Sequence, residues 1–252
     1  MNTENLIWSS WLGLARGIGV DTFLYPFEVV KIRQQCLDGP SRSYQIAREI
    51  FQQEGFGAFY KGLSAQLLKT SLKCWRWPMI SELPPYFQRL GLKDLEQQAL
   101  TGLSISTVDT IILTPLERAK AISALTGKTQ FSFKNGWKGG SAYWLKLSVH
   151  WISFLTAQKY FRERERKAPN EPLSLFQLTK VGMQSALFVS VVLAPFDVEA
   201  TRKLTSTISS RKVTTLWRGS PLIALSEIIH SIASIAVIEL LTSHDIQKTS
   251  YG

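Results

Sequence analysis

The chain is poor in the residues that build metal sites and disulfide frameworks. Its 252 residues include only two cysteines, Cys36 and Cys74, and three histidines. No Cys/His spacing of the zinc type occurs, so neither cysteine is expected to serve a metal or a disulfide framework. Glycine-rich phosphate loops and nucleophile–base motifs are missing too, which argues against an enzyme and implies no cofactor. Acidic residues are in short supply, 19 against 29 lysines and arginines, leaving a net charge of +10 and a pI near 9.7. Such a chain is drawn to nucleic acid, anionic lipid or anionic solutes. The basic residues are scattered rather than gathered into one stripe, and no nucleic-acid motif is present, so nucleic acid is set aside.

Long, uniformly apolar runs are also lacking. The mean hydropathy is only +0.01. That average conceals membrane helices when one face lines a wet cavity. The first twenty residues lack a basic start, and Arg16 interrupts their apolar stretch, so no removable signal peptide is expected. Eight tryptophans are an unusual complement, and amphipathic rings suit a membrane–water boundary.

What the chain does have is an internal repeat. Three prolines share their surroundings: Leu24-Tyr25-Pro26-Phe27-Glu28, Leu113-Thr114-Pro115-Leu116-Glu117 and Leu193-Ala194-Pro195-Phe196-Asp197. Each proline is followed two places later by an acid. Thirteen places before it lies Gly13, Gly102 or Gly182, and nine before it lies Gly17, Ser106 or Ala186. Small residues at every fourth place let two membrane helices approach closely. Five places after the proline come Lys31, Lys120 and Ala200; seven after come Arg33, Ile122 and Arg202. A second element follows each block: Tyr60-Lys61-Gly62, Trp137-Lys138-Gly139 and Trp217-Arg218-Gly219. The prolines are 89 and 80 residues apart and these glycines 77 and 80 apart.

The pattern resembles the signature of the mitochondrial carrier family, P-x-[D/E]-x-x-[K/R]-x-[K/R] followed by [D/E]-G-x-x-x-x-aromatic-[K/R]-G. The first copy fits throughout, with Pro26, Glu28, Lys31, Arg33, Glu54-Gly55 and Tyr60-Lys61-Gly62. The other copies keep both ends but shorten the middle, with 24 residues from proline to glycine against 36 in the first. The resemblance runs from about Asn5 to Leu241. It implies an all-α membrane protein with six transmembrane helices, in three pseudo-threefold helix-pair repeats around a central cavity. The repeats would span 5–92, 93–168 and 169–245 of a single domain. It also implies a monomer in the mitochondrial inner membrane, or another organellar membrane, and a host mitochondrion if a parasite, bacterium or virus encodes it.

Odd-numbered helices are expected over Trp8–Arg33, Leu95–Ile122 and Leu173–Lys203, each long enough to span about 30 Å of hydrocarbon. Even-numbered ones are expected over Leu63–Leu90, Ser141–Arg162 and Pro221–Leu241. A short amphipathic surface helix fits between Gln35 and Phe59, with Tyr44, Ile46, Ala47, Ile50 and Phe51 as its apolar residues. The charged run Phe161–Lys167 reads as a solvated helix end, and the tail from Ser243 is polar.

The resemblance assigns a matrix gate to Pro26, Glu28, Lys31, Gln35, Pro115, Glu117, Lys120, Pro195, Asp197 and Arg202. Glu28 would pair with Lys120 and Asp197 with Lys31. Glu117 would face Ala200 without a partner, unless Arg118 or Arg202 compensates. The opposite gate is poorly written, leaving Glu82, Lys159 and Glu239 as its pairing candidates. Seven places past the triplet glycines, the family's solute-contact level, stand Lys69, Lys146 and Ser226. One turn further stand Lys73, His150 and His230, and Arg76 continues the face of helix two. Asp21 and Asp109 would temper the charge. A basic cavity implies a small anionic solute: a nucleotide, phosphorylated compound or carboxylate, moved by alternating access and exchange. The alternative is a carrier-like scaffold, insertase or interaction protein that has lost transport. The three triplets are candidate contacts for anionic lipid.

Overall fold

A computed structural model describes residues 3–36, 42–128, 135–166, 173–206 and 216–233, and all regular structure among them is helical. Helix α1 (Thr3–Cys36) leads into a short helix α2 (Ser43–Glu54). After a 3-10 turn come α3 (Leu63–Ser71), a second 3-10 turn (Leu72–Trp75) and α4 (Arg76–Arg89). Helices α5 (Asp94–Thr126), α6 (Gly140–Glu165), α7 (Leu175–Thr205) and α8 (Ser220–Ala233) complete the described fold. Two of them, α5 and α7, are long and apolar enough by composition to cross a membrane.

Helices α1, α5 and α7 run unbroken through Pro26, Pro115 and Pro195. A proline inside a helix strands the carbonyl four residues earlier, which must find another donor in an apolar medium. For Pro115 that carbonyl is Ile111, and the indole of Trp137 donates to it at 3.0 Å. The aromatic residue of the second triplet thus repairs the backbone that its own proline interrupts.

The triplet glycines start the even-numbered helices. Gly62, Gly139 and Gly219 have φ of 93°, 86° and 79°, left-handed values that favour glycine. They also permit contacts that run in cyclic order. A Cβ on Gly62 would lie 3.0 Å from the Lys120 carbonyl of α5. One on Gly139 would lie 2.8 Å from the Leu204 nitrogen of α7, and one on Gly219 would lie 2.9 Å from Lys31 of α1. The small-residue register works similarly: a Cβ on Gly17 would strike Thr70 at 2.7 Å, and one on Gly102 would meet the Ile152 backbone at 3.0 Å.

The expected helices need one correction and one limit. The helix expected over Leu63–Leu90 is not continuous. It breaks at Leu72–Trp75, which places Pro78 in the first turn of α4, where its missing N–H costs no intrahelical bond. Arg76 therefore does not follow Lys69 and Lys73 by simple α periodicity. The surface helix forms as expected over Ser43–Glu54, burying Ile46 and Ile50 while Tyr44 and Phe51 face outward. The charged run ends α6 at Glu165, which pairs with Lys180 at 2.6 Å. Glu239, the end of the helix expected to reach Leu241 and the tail from Ser243 lie outside the described residues.

Candidate functional site: a cavity closed by a chain of charges

A cavity of about 200 Å³ lies between the helices. Every solute-binding candidate lines it: Lys69, Lys73, Arg76, Lys146, His150, Ser226 and His230. Its walls carry six basic groups (Lys31, Lys69, Lys73, Arg76, Lys120, Lys146) and five acidic ones (Asp21, Glu28, Glu117, Asp197, Glu227). The cavity is therefore nearly balanced in charge, rather than simply basic.

One end is closed by the proline blocks. Both expected pairs form: Lys120 Nζ lies 3.0 Å from Glu28, and Lys31 Nζ lies 3.5 Å from Asp197. Each lysine also holds the acid of its own block three residues earlier, Lys31–Glu28 at 2.7 Å and Lys120–Glu117 at 2.7 Å. Gln35 braces the network, donating to Asp197 at 2.6 Å.

Glu117 is not left without an inter-helix partner. Lys69 of α3 reaches it at 2.6 Å, and Lys146 of α6 reaches Asp197 at 2.6 Å. The result is one continuous alternation: Lys69, Glu117, Lys120, Glu28, Lys31, Asp197, Lys146. Lys69, Glu117, Lys120 and Asp197 are buried. Opposite charges in such a site attract far more strongly than in water. Arg118 and Arg202 are the other candidates for the charge that Ala200 lacks.

Those arginines serve backbone carbonyls. The position seven past the proline donates to the carbonyl nine past it in the neighbouring block. Arg33 Nε donates to the Ala124 carbonyl at 2.9 Å, and Arg202 Nε to the Gln35 carbonyl at 2.9 Å. In the second block that place is Ile122, which has no donor. Arg118 donates instead, to the carbonyl of Leu204. Outside the cavity, Glu54 at the end of α2 accepts from Arg33 and from Lys61 at 2.6 Å. Hydrogen bonds from Arg33 and then Lys61 hold its carboxyl down to about 2.

The rest of the cavity is partly committed. Arg76 grips Asp109 through two bonds of 2.9 and 2.5 Å. Asp21 accepts from Gln66 at 3.0 Å and from Thr70, and faces His230 Nε2 at 3.4 Å. His150 lies parallel to the Phe154 ring and 3.9 Å from Glu227. Lys73 makes no ion pair within 4 Å among the described residues. At the other end, Lys159 pairs with Asp94 at 2.5 Å and not with Glu82, which is exposed.

Sequence reasoning placed Lys69 and Lys146 in the cavity but not at the gate. It also missed Glu227, whose only signal was its place beside Ser226.

Comparison with known proteins agrees with this geometry. The family described as "Mitochondrial carrier protein" matches residues 3–82. The human "Mitochondrial 2-oxodicarboxylate carrier" is 25% identical over 221 residues, covering 75% of this chain and 72% of that protein. The mouse "Mitochondrial adenyl nucleotide antiporter SLC25A24" is 43% identical over 58 residues, 22% of this chain and 12% of its own. A helical protein with an ion-paired internal cavity and this likeness to proteins named as carriers is consistent with solute transport in general. Residues 3–82 thus match a mitochondrial carrier domain, and the chain is similar over three quarters of its length to a protein named as a mitochondrial carrier.

Proposed function

We propose that this protein moves a small anionic metabolite across the mitochondrial inner membrane by alternating access, as an exchanger. In this reading it is a monomer of six membrane helices in three repeats, over 5–92, 93–168 and 169–245. The cyclic contacts of Gly62, Gly139 and Gly219 support that arrangement, because each triplet leans on the next proline block and the third returns to the first. The observation that carries the function is the alternation of seven charges from Lys69 to Lys146. It closes one end of a cavity, and its members separate if that end opens.

Lys73 is the first contact for an entering anion, as a cavity cation that makes no carboxylate ion pair within 4 Å among the described residues. Lys69 and Lys146 follow, with Arg76, Ser226, His150 and His230 around them. The solute is a nucleotide, a phosphorylated compound or a carboxylate. The exposed Trp137, Lys138 and Trp217 of the triplets suit the membrane interface, and Lys61, Lys138 and Arg218 suit anionic headgroups. One observation favours a transport-inactive scaffold: Lys159 is spent on Asp94, leaving the second gate unbuilt among the described residues.

Uptake by proteoliposomes decides between the two. The purified protein is offered labelled nucleotides, phosphate, keto acids and amino acids, with and without internal solute. Saturable uptake of one anion that depends on internal solute supports the exchanger. No uptake from folded, inserted protein rejects it in favour of the scaffold.

A further inference from the structure

We infer that Lys69 and Lys146 together replace the gate base missing at Ala200, so that the solute-binding lysines are also the latch of the gate. The inference rests on the transport reading for its solute half only. Its carrying observation is a division of labour. In the first two blocks one lysine makes two contacts, to the acid three residues before it and to an acid of the neighbouring block. Lys31 holds Glu28 and Asp197, and Lys120 holds Glu117 and Glu28. A lysine at position 200 would by the same register hold Asp197 and Glu117. Ala200 holds neither. Lys146 takes Asp197 at 2.6 Å and Lys69 takes Glu117 at 2.6 Å.

Both stand-ins come from the helices that follow the triplets, α3 and α6, seven places past a triplet glycine, and both line the cavity. A solute anion reaches their ammonium groups only by displacing Glu117 and Asp197. Binding and unlatching then become one exchange of anions on the same two lysines. A solute with two anionic groups satisfies both at once, whereas a single small anion releases only one end of the chain.

The test compares wild type, Lys69→Ala/Lys146→Ala, and that pair combined with Ala200→Lys. Readouts are thermal unfolding in mild detergent and proteoliposome uptake of 2-oxoglutarate, ATP and inorganic phosphate. The double variant is expected to unfold roughly 5–15 °C lower and to take up none of the three. Adding Ala200→Lys is expected to recover at least half of the lost Tm and no uptake. Recovery of both Tm and uptake would overturn the shared role, leaving the lysines as gate parts alone. A double variant as stable as wild type would overturn the latch.

Because Ala200 is fully buried, the new lysine is backed by a second measurement, the cycle Lys69→Met, Glu117→Gln and both. A double loss clearly smaller than the sum of the single losses supports the pairing; additive losses overturn it. Should wild type transport nothing, the transport reading falls, and the cycle still decides the latch.

Discussion

Replacing Asp197 by asparagine is the most informative single change at the gate. Its carboxylate is almost wholly buried and receives Gln35 at 2.6 Å, Lys146 at 2.6 Å and Lys31 at 3.5 Å. Lys31 keeps Glu28 after the change, but Lys146 has no second acid within 4 Å among the described residues. Removing one partner of a buried pair strands the other charge and costs about 3–5 kcal/mol. At about 2–4 °C per kcal/mol for a protein of this size, the Tm in detergent falls by roughly 6–20 °C. The control is Asp94→Asn, which removes the exposed pair with Lys159 and costs about 0–1 kcal/mol. The assay is a thermal ramp on detergent-purified wild type and both variants. An Asp197→Asn shift no larger than that of Asp94→Asn would refute the claim that this network holds the protein shut.

Three further outcomes are expected. Lys69→Ala and Lys146→Ala should each abolish saturable uptake in proteoliposomes while flotation assays still find the protein inserted. Gly139→Ala places a Cβ 2.8 Å from the backbone of Leu204 at φ 86°; left-handed strain of about 1–2 kcal/mol and overpacking of about 1–3 kcal/mol should lower Tm well beyond that of Gly19→Ala, where nothing lies within 4 Å. Glu54 is depressed from 4.5 to about 2, so its stabilisation is complete above about 4.5 and is lost as pH falls toward 2. The Tm gap between wild type and Glu54→Gln should therefore shrink over that window, which pH-scanned unfolding would read.

The parts of the fold that repeat were legible. Proline, acid, base and glycine recur at fixed offsets, and offsets on a helix determine which groups share a level. The family resemblance carried by those offsets supplied the Glu28–Lys120 and Lys31–Asp197 pairs, both of which form, and helical segments occur at each expected place among the described residues, with the second broken at Leu72–Trp75. The parts that compensate for broken copies were not legible. Ala200 announces a missing charge, but a lysine on a long flexible stem can come from any neighbouring helix. Nothing in the order of residues selects Lys69 and Lys146. Ile122 likewise announces a missing donor, and its replacement by Arg118 depends on how two helix ends meet. The break at Leu72–Trp75 was foreshadowed by Pro78, yet the apolar run around it reads as continuous. The near balance of charge in the cavity is not legible either, because acids of the proline blocks such as Glu117 and Asp197 and lysines such as Lys69 and Lys146 lie far apart in the chain and meet only in the fold.

The three arginine–carbonyl bonds bear on how the molecule comes together. A helix ends with carbonyls that its own turns cannot satisfy. Here the last turn of α5 is closed by Arg33 of α1, that of α7 by Arg118 of α5, and that of α1 by Arg202 of α7. Each long helix is finished by another, and the first one made is finished by the last. The Gln35 carbonyl of α1 therefore gains its Arg202 donor only once α7 is in place. A nascent chain halted before α7 holds two proline blocks and no closed circuit. The circuit of bonds at this end is complete only when all three long helices are present.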